Sequence, residues 1–271
     1  MATAVFLHAH PDDEAIATGG TMALAAEAGH RVILVFATRG ECGEPVEGVL
    51  EDGEQLGDRR ERESERAGKI LGAQRVAFLG YRDSGMMGEP TNDDPTCFWA
   101  ADEDEAAGRL ASILREEEAD LITIYDDHGG YGHPDHIQVH RVGRAAAARA
   151  GVSQVFESTM NRDHIRRAIG AAIEAGAADD DLRERHATLD DDHEPFGTPE
   201  RELTHALDVR AMLDRKREAM EAHASQIGPD SFFIAMDDER FADAFGTEWY
   251  IAHGAVRVGP PFAADLFADF P

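Results

Sequence analysis

Two short segments combine imidazole and carboxylate side chains with proline in a similar order. They are HAHPDDE at residues 8–14 and GYGHPDH at residues 130–136. Imidazole and carboxylate groups are good ligands for Zn²⁺, and a catalytic zinc site has three protein ligands and leaves one position for water. Since Cys42 and Cys97 lack the close spacing of a zinc–thiolate site, the candidate ligands are His, Asp and Glu. The two segments therefore predict a metal site that could activate water for hydrolysis.

The spacing inside each segment allows several side chains to face one ion. His10 and Asp13 are three positions apart across a proline-containing turn, and proline suits the first turn of a helix. His133, His136 and His140 are three and four positions apart, which places them on one face of a helix. One of these three histidines could complete a ligand set of two histidines and one aspartate.

Five apolar runs alternate with segments of helical length. The runs cover residues 4–10, 30–40, 75–81, 120–126 and 153–159. The helical segments cover roughly residues 15–28, 59–72, 103–118 and 136–150. Continuous apolar runs are typical of strands buried on both faces, and their alternation with helices favours a parallel sheet. We therefore predict a three-layer, Rossmann-like α/β fold with a mostly parallel sheet.

The two histidine-containing segments follow the first and the fourth of these predicted strands. Further polar residues follow the second and third strands, at 38–41 and 82–86. In open parallel sheets, ligands bind beyond the carboxyl ends of the strands. We therefore expect all four polar groups to meet at one edge of the sheet.

The C-terminal part of the chain departs from this alternation. Residues 179–194 are highly charged and predict a surface loop or a mobile insert. A long helix is predicted over 206–226, followed by FFIAM and EWYIAHG, which predict short strands or a cap. We expect one catalytic domain over residues 1–271, with the charged insert near 179–194 and a C-terminal cap region at 195–271.

Charge and hydropathy exclude several classes of partner. The formal net charge is -28 and the pI is near 4.7, and such a surface repels nucleic acid and anionic membranes. No apolar run approaches the roughly 20 residues that cross a bilayer, and the N-terminus lacks the basic region of a signal peptide. We expect a cytoplasmic protein that acts on a small molecule and that could form a homo-oligomer, with no nucleic-acid or membrane partner.

The paired motifs carry a family resemblance. AHPDDE, followed about 120 positions later by GHPDH, resembles the LmbE-like or PIG-L family of zinc-dependent deacetylases. The family resemblance also includes TRGE at 38–41. The segments RDSGM at 82–86, YD at 125–126 and GGYG at 129–132 are similar to the actinobacterial mycothiol branch of that family. This branch includes the deacetylase of N-acetylglucosaminyl-inositol and the mycothiol S-conjugate amidase. The resemblance implies removal of an acetyl group from an N-acetylglucosamine-type or mycothiol-type substrate, and the S-conjugate amidase is the alternative.

The resemblance also implies the roles of the residues that would perform the reaction. His10, Asp13 and His136 match the zinc ligands of the family. Asp12 matches the general base that takes a proton from metal-activated water. An Fe²⁺ ion is an alternative to Zn²⁺, because sites of two imidazoles and a carboxylate accept several divalent ions.

Four further positions match residues that the family uses on the substrate. His133 matches a histidine that stabilises or protonates the tetrahedral intermediate, and Tyr131 matches a tyrosine that polarises the substrate carbonyl. Arg60 and Asp83 match positions that bind sugar or inositol hydroxyl groups.

Three further residues are expected to lie beside the predicted metal ligands and to support them. His8 lies two positions before His10 on the same strand face, where it is either a ligand or a packed supporting residue. Glu14 is expected to orient His10 or a sugar hydroxyl, or to cap a helix near its positive N-terminal end. Asp135 is expected to support the ligands.

Two alternatives from other classes remain open on the sequence alone. A TIM-barrel amidohydrolase also has an HxH pair after its first strand, and 271 residues would suffice for the barrel. In that fold His8 would be a ligand and eight strand–helix units would be needed. The other alternative is a metal- or sugar-binding protein without activity, although such a protein has no use for the additional carboxylate of Asp12.

Overall fold

Within the described part of the chain, seven strands form one sheet at the centre of the molecule. The computed structural model describes residues 1–176, 178–189, 196–257 and 259–270. The strands are β1 (Thr3–His8), β2 (Arg31–Phe36), β3 (Arg75–Phe78), β4 (Leu121–Tyr125), β5 (Gln154–Thr159), β6 (His205–Asp208) and β7 (Thr247–Ala252). Their order across the sheet is β3-β2-β1-β4-β5-β7-β6. The first five strands in the chain pair in parallel, and β7 and β6 extend the β5 edge with antiparallel pairs.

Helices connect the parallel strands and pack on the sheet. They are α1 (Asp13–Ala17), α2 (Gly19–Glu27), α3 (Leu56–Leu71), α4 (Glu103–Glu116), α5 (Gly129–Gly132), α6 (Pro134–Ala150), α7 (Arg162–Glu174), α8 (Asp180–Thr188), α9 (Leu213–Ala222) and α10 (Asp238–Phe245). Short 3₁₀ turns lie at Pro90–Asp93, Glu200–Glu202 and Arg210–Met212. Among the described residues, none of the helices is both long and apolar enough to cross a membrane.

The sheet separates two hydrophobic cores, because successive side chains of a strand point to opposite faces. Phe6 of β1 packs in the core formed with α2, α3 and α9. Leu7, the next residue, packs in the core formed with α4 and α6. Both residues are fully buried. The result is the predicted three-layer α/β architecture, and the burial of both faces explains why these strands are continuous apolar runs.

The strand order creates a crevice between β1 and β4. From β1 the chain runs through β2 to β3 on one side, whereas β4 and β5 lie on the other side. Ligands of open α/β sheets bind at such a switch point. Helix α6 packs closely against β4 beside this crevice. The chain has glycine at position 143 of the helix, where an added Cβ atom would lie 2.4 Å from the side chain of Ile124 on β4.

The five predicted strands and the parallel sheet are confirmed, and several helix predictions need correction. The predicted helix at 15–28 is divided at Thr18 into α1 and α2. The helix predicted over 206–226 is wrong at its beginning, because β6 ends at Asp208 and α9 begins at Leu213. The EWYIAHG segment forms most of β7, as expected for a strand, but FFIAM at 232–236 forms turns.

Two further expectations are changed by the structure. The charged segment near 179–194 contains helix α8 instead of a continuous loop, whereas its residues 190–194 lie outside the described residues. The TIM-barrel alternative is wrong, because the sheet is open, with β3 and β6 at its two edges. The region after residue 195 adds two strands to the sheet and helix α9 to one of its faces.

Candidate active site

The residues of the two motifs meet at the carboxyl ends of β1 and β4. His10 lies two positions after the end of β1, and the turn that follows it leads into α1. On the other side of the crevice, His133 is the N-cap of α6 and Pro134 is its first residue. The ring centroid of His10 lies 4.6 Å from that of His133 and 5.3 Å from that of His136. Two segments more than 120 positions apart in the sequence therefore form one buried cluster.

Asp13 lies between His10 and His136, the two histidines that are predicted to bind the metal together with it. Its Oδ2 is 3.4 Å from His10 Nδ1 and 3.4 Å from His136 Nε2. Two ligand atoms that are each about 2.0–2.1 Å from a tetrahedral zinc ion lie about 3.3–3.4 Å apart. Each of these two distances therefore suits a pair of ligands of one ion. His10, Asp13 and His136 as a set of three stay a prediction, because the groups whose ligand atoms all lie within 4.8 Å of one another combine His10 with His133 and His136, or with Asp83 and Asp135.

The chemistry of the cluster also fits a cation. The Nε2 atom of His136 is buried and has no hydrogen-bond partner among the described residues, which is unusual for a polar atom in a protein interior. Burial alone would lower the pKa of the His10 ring, but the neighbouring Asp83, Asp13 and Asp135 carboxylates raise this pKa well above its ordinary value. The carboxylates therefore favour positive charge at this place.

The second nitrogen of His10 faces two other carboxylates. Its Nε2 lies 3.1 Å from Asp135 Oδ2 and 3.5 Å from Asp83 Oδ1. Asp135 also accepts hydrogen bonds from the backbone N–H and the hydroxyl of Ser84. A ligand histidine commonly donates its other ring N–H to a carboxylate, which fixes the orientation of the ring. Asp135 therefore lies where the sequence predicted a supporting residue.

Asp83 could in principle belong to a second group of ligands. Atoms of His10, Asp83 and Asp135 lie within 4.8 Å of one another, as do atoms of His10, His133 and His136. However, Asp83 Oδ1 already accepts a hydrogen bond from Gly85 N at 2.8 Å, and Oδ2 accepts one from Cys42 N at 3.2 Å. These bonds fix Asp83 in the loop beside the His10 ring, just as a bond from His10 N at 2.9 Å fixes Oδ2 of Asp13.

Asp12 has a backbone conformation that is costly for a residue with a side chain. Its φ is 106° and its ψ is -34°, and such a conformation costs about 1–3 kcal/mol unless surrounding contacts maintain it. Its Oδ2 lies 3.1 Å from Nη2 of Arg60. Burial raises the pKa of the Asp12 carboxyl to about 6, although the Arg60 charge opposes this rise.

Arg60 is predicted to bind substrate, and the structure shows a second use for its guanidinium. The residue is 3% exposed. Nη1 donates to the carbonyl of Gly40 at 2.8 Å, and Nη2 donates to the carbonyl of Pro11 as well as to Asp12. Arg60 therefore fixes the segment that carries Asp12.

His133 is held as a neutral hydrogen-bond donor. Its Nδ1 accepts a hydrogen bond from the backbone N–H of Asp135 at 3.1 Å, so the ring proton lies on Nε2. Burial, together with the neighbouring His10 and His136, lowers the pKa of His133 to about 3. The ring can therefore stabilise a developing oxyanion by donating from Nε2.

Tyr131 is the most accessible residue of the predicted set. It is 45% exposed, and its ring centroid lies 5.0 Å from that of His136. Gly130 and Gly132 on either side have φ angles of 73° and 88°, which glycine adopts without steric cost. The tyrosine therefore stands at the open side of the cluster on a glycine-rich loop.

His8 supports the site and does not face its centre. Its Nδ1 lies 2.8 Å from the hydroxyl of Tyr125, and its Nε2 lies 2.9 Å from the hydroxyl of Thr18. Burial lowers the pKa of His8 to about 4. The Tyr125 ring stacks on His136 at 4.5 Å between centroids, so this tyrosine connects His8 with the cluster.

His223, which no sequence pattern indicated, is fully buried beside Glu14. Its Nε2 lies 2.5 Å from Glu14 Oε1. The two residues are 209 positions apart, so no local spacing indicates the pair. Nearby, Ser225 donates to both carboxylate oxygens of Glu63 from its backbone N–H and its hydroxyl. A fully buried Glu14 requires a cationic or donor partner, and that requirement is the one signal that could have pointed to such a residue.

These features define a class of protein, a Rossmann-like α/β protein with a buried candidate metal site at the switch point of its sheet. The family model described as PIG-L, GlcNAc-PI de-N-acetylase, matches residues 5–147. The chain belongs to this family, which confirms the resemblance seen in the motifs.

A curated relative matches nearly the whole chain. It is the 1D-myo-inositol 2-acetamido-2-deoxy-alpha-D-glucopyranoside deacetylase of Acidothermus cellulolyticus, which is 43% identical over 97% of this chain and 94% of its own length.

Two solved structures are similar in fold. The conserved protein TT1542 from Thermus thermophilus has a TM-score of 0.61 and 20% identity, covering 98% of this chain and 100% of its own. GalB, the 4-carboxy-2-hydroxymuconate hydratase from Pseudomonas putida, has a TM-score of 0.57 and 20% identity, covering 97% of this chain and 100% of its own. At this identity the likeness concerns the fold alone. Since one of the two is named a hydratase, the reaction must be argued from the site.

Proposed function

We propose that the chain is a divalent-metal-dependent deacetylase that hydrolyses the N-acetyl group of an N-acetylglucosaminyl-inositol. The observation that carries this proposal is the geometry around Asp13, whose Oδ2 is 3.4 Å from His10 Nδ1 and 3.4 Å from Nε2 of His136, a buried atom that makes no hydrogen bond among the described residues. The substrate follows from the name of the relative that shares 43% of its residues with this chain.

In this proposal the metal is Zn²⁺, held by His10, Asp13 and His136. When bound, the ion supplies Lewis acidity that polarises the amide carbonyl and makes water more acidic. Asp135 keeps the His10 ring in place through Nε2, which leaves Nδ1 for the metal.

Asp12 moves the proton in this reaction. It adjoins a ligand, and its carboxylate is not needed to hold the ion, so it can take a proton from the attacking water. Because the hydrogen bond from Asp135 N–H keeps His133 neutral, His133 has no additional proton to give to the leaving amine. Asp12 therefore returns the proton it took, whereas His133 and Tyr131 donate hydrogen bonds to the carbonyl oxygen.

The proposal is tested by measuring the release of free amine from three compounds, with and without a chelator. The compounds are N-acetylglucosaminyl-inositol, N-acetylglucosamine and a bimane conjugate of mycothiol. The zinc-loaded protein should prefer the first, and chelation should abolish turnover. Preference for the conjugate would instead identify an S-conjugate amidase. No amine from any of the three compounds would overturn the proposed activity.

The variant Asp12→Asn tests the role of the general base and separates an enzyme from a metal-binding protein. It should bind the same amount of zinc and lose about 10²–10⁴-fold in kcat. Asp127→Asn is a matched control, because Asp127 also belongs to a pair of adjacent aspartates and its side chain is 82% exposed. If Asp12→Asn retained normal turnover, Asp12 would have no role in proton transfer.

A further inference from the structure

Glu14 connects the backbone of Asp12 with the ring of His223. Its Oε2 accepts a hydrogen bond from Asp12 N at 2.9 Å, and its Oε1 lies 2.5 Å from His223 Nε2. Glu14 and His223 are both completely buried. Since each carboxylate oxygen has its own partner, Glu14 has no free oxygen directed at a substrate, and its contacts hold protein groups in place.

Glu14 holds the backbone of Asp12, which has a strained conformation. Asp12 and Glu118 are the two residues other than glycine that have positive φ angles in the described part of the chain. The φ of Glu118 is 51°, within the ordinary left-handed region, whereas that of Asp12 is 106°. Such a conformation persists only where the surroundings enforce it. Here the Glu14 carboxylate holds the N–H of Asp12, and Arg60 holds the preceding carbonyl, that of Pro11.

A hydrogen-bonded turn at the end of α9 places His223 beside Glu14. Its N–H donates to Met220 O at 3.1 Å, and its carbonyl accepts a bond from Ile227 N at 2.8 Å. Two positions later, the hydroxyl of Ser225 bonds to Glu63 of α3 at 2.6 Å. These bonds fix the backbone from which the imidazole reaches Glu14.

One nitrogen of this ring has no structural use. Nδ1 of His223 is buried without a hydrogen-bond partner among the residues that the structure describes, and leaving such an atom unpaired is destabilising. An apolar side chain would avoid this cost but would leave the Glu14 carboxylate buried without its partner. The contact that accounts for a histidine here is therefore the one from Nε2 to Glu14.

We propose that His223 is a positioning residue that acts through Glu14 to hold the Asp12 backbone and so direct the Asp12 carboxylate. The inference rests on the proposed function in taking Asp12 as the general base. Without His223, Glu14 would lose the partner on Oε1, its Oε2 would no longer be fixed against Asp12 N, and Asp12 would relax from its strained conformation.

Hydrogen exchange of the Asp12 amide tests the positioning without any substrate or metal. In His223→Ala, and in His223→Leu, which fills more of the volume, the Asp12 N–H should exchange at least about 10-fold faster than in the original protein. His223→Gln, whose amide can donate to Glu14, should restore slow exchange. Ser225→Ala is the matched control, because it removes a buried contact of the same turn that leads to Glu63. Unchanged Asp12 exchange in a folded Ala or Leu variant would overturn the proposal, as would equal acceleration in Ser225→Ala.

Turnover provides the second readout. A misplaced general base should lower kcat by about 10²-fold in His223→Leu with little change in KM or in bound zinc. The same change made in the Asp12→Asn protein should cause no further loss, because His223 acts through Asp12. A further loss in that background would contradict the proposal. If the original protein released no amine, the proposed function would fail, while the exchange measurement would still decide the role of His223.

Discussion

At the scale of single residues, His10 illustrates how one imidazole can serve two purposes. Nδ1 faces Asp13 at 3.4 Å, and Nε2 faces Asp135 at 3.1 Å. The carboxylate behind a ligand fixes the ring and its tautomer and increases the basicity of the coordinating nitrogen. Asp135 can do so because the backbone N–H and the hydroxyl of Ser84 hold both of its oxygens.

The variant Asp135→Asn removes the carboxylate that holds the His10 ring. It should weaken zinc binding about 10–100-fold, because His10 loses its orienting partner. A competition titration of metal-free protein with a chromophoric zinc chelator measures this affinity. The exposed variant Asp127→Asn serves as the reference and should bind zinc normally. Equal affinities in the two variants would show that Asp135 does not support a ligand.

At the scale of elements, a buried ion pair joins three parts of the fold. Lys216 of α9 contacts Glu248 of β7, and both side chains are at most 3% exposed. Glu248 also accepts hydrogen bonds from the backbone N–H groups of Gly20 and Thr21 at 2.8 Å each. These are N–H groups of the first turn of α2, which have no partner within the helix. Glu248 therefore anchors the beginning of α2 to the sheet and to α9.

Replacement of the buried lysine should destabilise the protein strongly. Lys216→Met leaves the Glu248 charge buried without its counter-charge, which should lower the free energy of unfolding by about 3–5 kcal/mol. The chain contains one other lysine, the exposed Lys69, and Lys69→Met should change stability by less than about 0.5 kcal/mol. Urea denaturation of both variants measures the difference. Similar midpoints would contradict a stabilising role of the ion pair.

The elements that could be predicted from the sequence are those whose signal is local. Each of the first five strands is a continuous apolar run because both faces of the sheet are covered, and this shows without knowledge of its neighbours. The predicted helix at 206–226 was wrong at its beginning because β6 pairs with β7, about 40 positions later, and forms a bridge with Ala263. Its sequence, HALD, has no strand pattern of its own.

The same distinction applies to the candidate site. His10, Asp12 and Asp13 could be found because they share one short motif after a strand. The partnership of Glu14 with His223 could not, because 209 positions separate the two residues. Likewise, the contacts of Arg60 with the Pro11 and Gly40 carbonyls depend on how α3 packs, and no sequence pattern reports this packing.

At the scale of the whole molecule, the net charge of -28 bears on what reaches the site. A surface of this sign attracts divalent cations and repels polyanions such as nucleic acids. The crevice between β1 and β4 has the same sign, since several carboxylates surround His10. A cation at the centre of this cluster offsets the repulsion among these groups, so the charge of the molecule and the geometry of the site favour the same kind of ligand.

The most direct test of the central claim is the position of the metal in crystals of the zinc-loaded protein, measured by anomalous diffraction at the zinc edge. We expect one strong peak about 2.0–2.2 Å from His10 Nδ1, an Asp13 carboxylate oxygen and His136 Nε2. A peak bound by His133 in place of Asp13, a peak between His10, Asp83 and Asp135, or no peak in the crevice between β1 and β4 would show that the proposed ligand set is wrong.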